Sequence, residues 1–525
     1  MVKLDIWTGS LFTIFIFFCG TYIYTTCRFF LSSIGDRRHK GKTPLTLPYW
    51  FPIIGSAIPM STNGHEFYES TMQAFAPVKR SHGNIIGARL GPMFVYFVAG
   101  AKNIQTIFRN SKSLTTRTLV LRIYGNVIGV PRGDMKIFEY DDSESMTTPL
   151  TQIPEEKRIW QHRHHAIVHS LKNTEALNIL TRVFTREIME LANQQHLGEW
   201  QTGPFKQNPD LAKDFWEFMR GFMVLFFGIP RLIAPKPYAA RDRLIQACTK
   251  HLRDIESRYD GIIAANAEWD EDLGSRVNRD LDKVMKDVGI SPEGRGAMMG
   301  GFMIGINGNA IPVGCWILIE SIRTPGLLEA LREEIMTAVS IDEDNKESLI
   351  LDIATLLSLP LLSSVYTETL RLRISTTPTR QLRNDLLVGG YVLKAGNHVM
   401  VPSWLAHTES QWSTPEHPAS EFWAERFLGK TDADGNVGEP PKSTQAGTFF
   451  PFGGGTSMCP GRFFAKQEIL SGVAIMIAKF EIEFVENVHH DGTPSKRGPD
   501  ADINNAGSGA LLPDSDLKVR LRRRI

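Results

Sequence analysis

The chain has 525 residues, is 42% hydrophobic and 22% charged, and carries a net charge of +1 at neutral pH. That balance reads as ordinary globular material and argues against a general polyanion binder, so no nucleic-acid partner is expected. Five cysteines at unpaired spacings, Cys19, Cys27, Cys248, Cys315 and Cys459, form no CxxC or zinc pattern, which argues against a disulfide framework and suits a reducing compartment.

The first element in chain order is an uncharged stretch from Ile6 to Cys27. At 1.5 Å per residue, about 22 residues span the ~30 Å hydrocarbon core of a bilayer. Arg28, Arg37, Arg38, Lys40 and Lys42 follow it, against Lys3 and Asp5 before it. This asymmetry puts the C-terminal bulk in the cytosol. The weakly basic start and the basic flank read as a retained anchor rather than a cleaved signal peptide. Next comes Pro44-Leu45-Thr46-Leu47-Pro48-Tyr49-Trp50-Phe51-Pro52, where repeated prolines predict a stiff, extended hinge. The expected division is therefore an anchor over 1–30, a basic and Pro-rich hinge over 31–55 and a catalytic body over 56–525.

Helical periodicity covers Glu155–Leu171, Thr174–Gln194, Asp210–Phe227, Tyr238–Asp260, Trp269–Val288, Ser291–Arg323 and Leu327–Ser340. Strand signals fall at Phe94–Ala99, Leu386–Leu393 and His398–Pro402, the last two punctuated by Gly389-Gly390 and Ala395-Gly396. Asp432–Ser443 and His489–Gly509 read as polar loops. The expected fold is mainly α with a minor β-sheet, preceded by one N-terminal transmembrane helix.

Ser291-Pro292 is a good helix start, an N-cap followed by Pro at the first helical position. The helix that follows would run roughly 32 residues, or ~48 Å. It holds seven glycines, Gly294, Gly296, Gly300, Gly301, Gly305, Gly308 and Gly314. Each costs about 1 kcal/mol against Ala, a cost tolerated where another body must come close. Pro312 cannot donate to the carbonyl of Gly308, so a free carbonyl and a kink are expected beside Asn309. Further on, Glu368 and Arg371 stand three apart and share a helix face. Glu425-Arg426-Phe427 follows about 55 residues later, and a second Arg could complete a buried, charge-assisted network.

The most specific segment is Phe452-Gly453-Gly454-Gly455-Thr456-Ser457-Met458-Cys459-Pro460-Gly461. It puts one Cys at the mouth of an amphipathic helix, where unpaired N–H groups and the helix dipole favour thiolate. The glycines keep bulk away, so something flat and large can lie against the sulfur. This is the axial-ligand arrangement of haem–thiolate enzymes.

FxxGxxxCxG, ExxR and the Glu-Arg-Phe partner, in this order and spacing, resemble the cytochrome P-450 superfamily, and the anchor and hinge resemble its microsomal branch. The resemblance implies the fold of that superfamily. It implies haem b held by Cys459 as the iron's axial ligand, with Phe452, Gly455 and Gly461 around the cofactor. It also implies a structural triad of Glu368, Arg371 and Arg426. Trp160 and His164 resemble the superfamily's Trp-x-x-x-Arg contact to the haem propionates, with Arg163 as the adjacent substitute. Arg380 stands where a propionate-binding Arg is common, and Ser457 replaces the usual cation two residues before the Cys.

The long helix should cross the distal haem face. Where the superfamily usually places an acid and a Thr, this chain has Gly308-Asn309. An amide has no ionisable proton, though it can orient a water. The Gly-Asn-x-x-Pro form resembles the branch with cholesterol 7α-hydroxylase, sterol 12α-hydroxylase and prostacyclin synthase. Asn309 and Gly308 are therefore the catalytic candidates, and Phe302, Ile306 and Ala310 the candidate pocket lining.

The resemblance implies a monooxygenase that uses O2 and NADPH-derived electrons on a bulky lipophilic molecule such as a sterol or terpenoid. It would sit in the endoplasmic reticulum membrane among lipid, single-pass with a cytosolic catalytic domain. NADPH–cytochrome P-450 reductase and cytochrome b5 would supply electrons, with Arg462 and Lys466 as a docking face. The prostacyclin synthase likeness leaves open an isomerase or dehydratase that needs no redox partner. A non-catalytic haem or lipid carrier is the third reading.

Overall fold

The computed structural model describes residues 2–34, 43–62, 66–67, 70, 84–144, 151–193, 208–258, 267–270, 274–341, 349–429, 447–503 and 506–524. The basic positions Arg37, Arg38, Lys40 and Lys42 and the polar stretch Asp432–Ser443 lie outside the described residues. The chain divides into two compact units, each assembled from separated stretches.

The first unit comprises Met1–Leu119, Ser375–Glu409 and Thr444–Thr456. It opens with the helix Val2–Ile34, whose segment Ser10–Leu31 is long and apolar enough to cross a membrane. Aromatic side chains such as Phe12, Phe15 and Phe17 stand exposed along it. The Pro-rich segment is seated against this helix rather than projecting from it. Trp50 stacks on Tyr22 with centroids 4.1 Å apart, and Phe51 meets Phe18 edge-on at 4.7 Å. The Tyr49 N–H donates to Thr25 Oγ1 at 3.2 Å. Prolines hold the segment extended, and its aromatics fix it in place.

The unit's six-stranded sheet runs in the order Leu45–Thr46, Ile85–Leu90, Met93–Val98, His398–Met400, Thr379–Leu382 and Leu114–Thr115. Val95, Tyr96, Phe97 and Val98 are all buried, so this strand is covered on both faces, as a continuous β-branched and aromatic run requires. Leu386–Val388 and Tyr391–Leu393 form a hairpin. Its turn residues Gly389 and Gly390 have φ of 56° and 89°, the left-handed pair that a two-residue hairpin needs.

The second unit, Val120–Ile374, Ser410–Ser443 and Ser457–Ile525, is largely helical. Its helices include Ile159–Lys172, Thr174–Asn193, Leu211–Arg220, Pro235–Arg258, Arg276–Asp287, Pro292–Arg323, Leu327–Met336, Pro360–Arg373 and Arg462–Lys479. Three differ from the periodicity. Trp269–Asp270 pairs with Gly274–Ser275 as a short hairpin, so the next helix starts at Arg276. Val339–Ile341 pairs with Leu349–Leu351, which stops the preceding helix at Met336. The Asp210–Phe227 pattern breaks at Gly221, where a Cβ would sit 2.4 Å from Pro237. An antiparallel ribbon of Phe480–Val488 and Asp516–Arg523 closes the chain, with cross-strand ion pairs such as Glu483 to Arg520 at 2.9 Å.

The long helix Pro292–Arg323 is continuous through Pro312. Ser291 caps it, accepting from the Gly294 N–H at 3.1 Å and donating to Asp134 Oδ2 at 2.5 Å. Arg295, buried one turn in, pairs with Glu256 and Asp282, each at 2.9 Å, which ties the helix to two neighbours. Replacing Ser291 by Ala is expected to destabilise the folded protein by about 1–2 kcal/mol, read as a lower denaturant midpoint at unchanged slope.

Candidate active site

Cys459 lies just before the helix Arg462–Lys479, whose first turn follows Gly461. The backbone N–H groups of Gly461 and Arg462 bond to its sulfur, and with the Arg462 charge they favour thiolate, yet desolvation is the larger effect and raises the thiol pKa. The helix mouth alone therefore does not ionise this sulfur, and a bound cation would have to complete the task. Cys459 is nevertheless exposed. A Cβ on Gly461 would sit 3.7 Å from the sulfur, an ordinary contact.

Two other glycines of the motif lie tight against a helix. In the first unit, a Cβ on Gly454 would lie 2.3 Å from the Phe108 ring and one on Gly455 2.3 Å from the Phe108 carbonyl oxygen. They admit the helix Ala101–Arg109, which the motif itself gives no hint of. Phe452 is half-buried in the same unit. Arg380 there donates to Thr379 O at 3.0 Å and to Gly454 O at 3.3 Å.

In the second unit Glu368 and Arg371 are wholly buried. Arg371 grips the carboxylate with two bonds, Nε to Oε2 at 2.7 Å and Nη2 to Oε1 at 2.8 Å. Arg426 Nε reaches Glu368 Oε1 at 3.0 Å, and the Trp423 N–H reaches the same oxygen at 3.1 Å. The guanidinium edges left over donate to backbone carbonyls: Arg371 to Ala419 O at 2.6 Å, Arg426 to Pro418 O at 3.1 Å and to Glu421 O at 3.0 Å. Three charged side chains thus hold an irregular segment that has no ladder of its own to satisfy its carbonyls.

The Trp160 indole N–H donates to Asp141 O at 2.9 Å and to Phe138 O at 3.2 Å. His164 is held neutral near pH 7, its pKa lowered first by burial and then by the charges of His165 and Lys172. It offers at most a neutral N–H. The buried cation is Arg163. It donates to the Tyr124 hydroxyl and lies over the Tyr124 and Phe138 rings at 5.3 and 5.9 Å. Its Nε is buried without a partner, and no carboxylate pairs with it among the described residues. Helical spacing puts positions 163 and 164 about 100° apart, and only burial decides between them. Among the described residues, no group that includes the neighbouring histidines could hold a metal ion.

On the long helix, Gly308 is buried, and a Cβ there would lie 2.8 Å from Met219 Cε. Asn309 is exposed and its Oδ1 accepts from the Ala510 N–H at 2.9 Å. Phe302 packs against Ala166, Val277 and Leu281, and Ala310 is buried. Ile306 is half-buried. Gly305, where a Cβ would meet no atom within 4 Å, and Asn309 one turn on are open, as are Ile311 and Gly314 further along. At the other side of the sequence motif, Arg462 donates to Cys459 O at 3.0 Å and covers the Phe463 ring. Lys466 donates to Leu357 O at 3.3 Å and has its pKa lowered by burial, so it is less a solvated charge than its position suggests.

An exposed sulfur with two amides aimed at it, an open glycine face on a buried helix and a buried guanidinium without a counter-ion together suit a large anionic metallocycle. Fold and site define a haem–thiolate protein. The chain belongs to the cytochrome P-450 family, whose model matches residues 172–498. It is 35% identical to a cytochrome P-450 monooxygenase of Penicillium decumbens, over 91% of this chain and 95% of that one. It is 21% identical to cytochrome P-450 7A1 of Rattus norvegicus (95% and 97% covered) and to a cholesterol 7-alpha-monooxygenase of Cricetulus griseus (93% and 94%). Among solved structures, the retinoic acid-bound cyanobacterial CYP120A1 superposes with a TM-score of 0.55 at 18% identity, covering 92% of this chain and 99% of that one. The protein is a haem-iron monooxygenase that uses O2.

Proposed function

We propose that this monooxygenase oxidises a bulky lipophilic substrate, a sterol, a terpenoid or a related secondary metabolite, with electrons from NADPH. The observation that carries this reading is the near end-to-end similarity to a cholesterol 7-alpha-monooxygenase, joined to the Gly-Asn-x-x-Pro form of the long helix. Residues 1–30 anchor the chain in the endoplasmic reticulum membrane, residues 31–55 form a basic and Pro-rich hinge, and residues 56–525 form the cytosolic catalytic domain. Lipid surrounds the anchor. NADPH–cytochrome P-450 reductase is the electron donor, with cytochrome b5 as a second.

Haem, when bound, supplies the oxygen activation and cleavage that no side chain can perform. The chain's own residues hold and orient. Cys459 would hold the haem iron, and the Gly461 and Arg462 amides would temper the charge on its sulfur. Glu368, Arg371 and Arg426 keep the segment 412–427 in one conformation. Arg380, Trp160 and His164, with Arg163 beside them, would serve the propionates, and Phe452, Gly455 and Gly461 would lie around the cofactor. Asn309 and Gly308 line the reacting side, and neither can donate an ionisable proton.

Cys459→Ser is expected to abolish the thiolate-type Soret band of the ferrous–CO complex in protein that still folds; a retained band would sink the ligand assignment. Type I spectral shifts across a panel of sterols and terpenoids, followed by turnover with NADPH and reductase, test the substrate class. Product formation without NADPH would overturn the monooxygenase cycle in favour of isomerisation.

A further inference from the structure

Asn309 is the point where the long helix meets the C-terminal strand Ser508–Ala510. A backbone N–H can only donate, so the atom 2.9 Å from the Ala510 nitrogen must be the amide oxygen. That single contact fixes which way the carboxamide is turned. The approach is close: a Cβ on Gly509 would lie 2.2 Å from Asn309 Oδ1, and Gly509 has φ +150°. Only glycine leaves room for the amide at that position.

The same strand end is moored to the helix further along. Leu511 accepts from the Trp316 indole N–H at 2.7 Å and donates to Arg373 O at 2.8 Å. Arg373 lies 3.9 Å over the Trp316 ring and pairs with the buried Glu320 at 2.5 Å. Arg323 donates to Pro499 O at 2.8 Å. The strand is thus held at Asn309 and again two turns later, so the amide cannot rotate without losing a bond in a fixed frame.

With its oxygen held on Ala510, Asn309 keeps the two donors of Nδ2. Its two N–H donors meet no acceptor among the described residues, and one turn before it Gly305 leaves open space. We propose that Asn309 is a positioning and specificity-determining residue: its oxygen clamps Ala510, and its fixed NH2 selects substrates that carry an acceptor oxygen, a carbonyl or hydroxyl, beside the open face at Gly305. This rests on the lipophilic-substrate reading above and gives Asn309 a task other than proton supply. A donor cannot be turned into an acceptor by a flip here, so the site discriminates between an oxygenated ligand and its hydrocarbon counterpart.

Two variants of the haem-loaded full chain separate the parts. Asn309→Asp keeps an oxygen for Ala510 but loses the donors, whereas Asn309→Ala loses both. Hydrogen exchange reads the clamp: residues 506–511 should exchange at least ~10-fold faster in Asn309→Ala and at the wild-type rate in Asn309→Asp. Equal exchange in all three proteins refutes the clamp. Spectral titration reads the donor, with progesterone and 5α-androstane as a ketosteroid and its oxygen-free counterpart. Wild type should prefer progesterone by ~10-fold or more, and Asn309→Asp should lose that preference while 5α-androstane binding changes less than ~2-fold. An unchanged preference in Asn309→Asp overturns the donor role. A wild-type protein that binds neither steroid, with its ferrous–CO band intact, counts instead against the sterol-sized pocket and removes the donor role with it, while the exchange result still decides the clamp.

Discussion

Glu368→Gln is expected to yield little or no haem-loaded protein, with the fold destabilised by about 3–5 kcal/mol. The Glu368 carboxylate accepts from Arg371 twice, from Arg426 and from the Trp423 N–H. Gln has the same shape, but its NH2 would point donors at donors and its neutral head would leave two buried guanidinium groups without a counter-charge. Desolvated cations of this kind cost far more than a lost surface pair. The segment 412–427 would then lose the guanidinium edges that satisfy Ala419, Pro418 and Glu421 carbonyls. The measurement is haem content per folded protein, with denaturant unfolding on whatever folds. Arg426→Lys is the milder comparison, since one ammonium cannot reproduce the planar fork. Wild-type haem content and stability in Glu368→Gln would remove the triad from its structural role.

How much of this was legible depends on the kind of partner a residue has. Glu368 and Arg371 share a face because three residues is nearly one turn, and that follows from spacing alone. The cysteine at a helix mouth is equally local. The partners of Trp160 are not local in this sense: its acceptors are the carbonyls of Phe138 and Asp141, and a backbone carbonyl has no letter in the sequence. Asn309 finds Ala510 some 200 positions away through another backbone group. Gly454 and Gly455 are approached by Phe108, which no letter of the motif announces. The strand pair Phe480–Val488 and Asp516–Arg523 did carry a signal, since acidic Glu481, Glu483 and Glu486 face basic Arg522, Arg520 and Lys518 across the register. Complementary alternation of charge in two distant segments marks such a ribbon.

The same local reading overlooked Glu468, which lies nearly two turns into the helix Arg462–Lys479 and is buried in the structure. Burial pushes its carboxyl up to about 8, from an ordinary value of 4.5. Tyr366, whose hydroxyl is buried without a partner, is pushed upward too, by burial first and then by the Glu468 and Cys459 charges. Between pH 4.5 and about 8 the folded protein keeps a proton on Glu468 that the unfolded chain has released. Stability therefore falls as pH rises through that window, by up to ~1.4 kcal/mol per pH unit from this group, and the loss levels off above it. Glu468→Gln keeps the size and removes the charge. Its unfolding free energy should match wild type near pH 4.5 and exceed it by a few kcal/mol at pH 8.5, in denaturant titrations of the haem-loaded chain at several pH values. Parallel curves for the two proteins would mean that Glu468 is already ionised in the fold, with water or an unseen cation at its carboxylate. Curves that coincide near pH 4.5 and diverge above it would instead identify this buried acid as a group that weakens the thiolate-bearing helix as the medium turns alkaline.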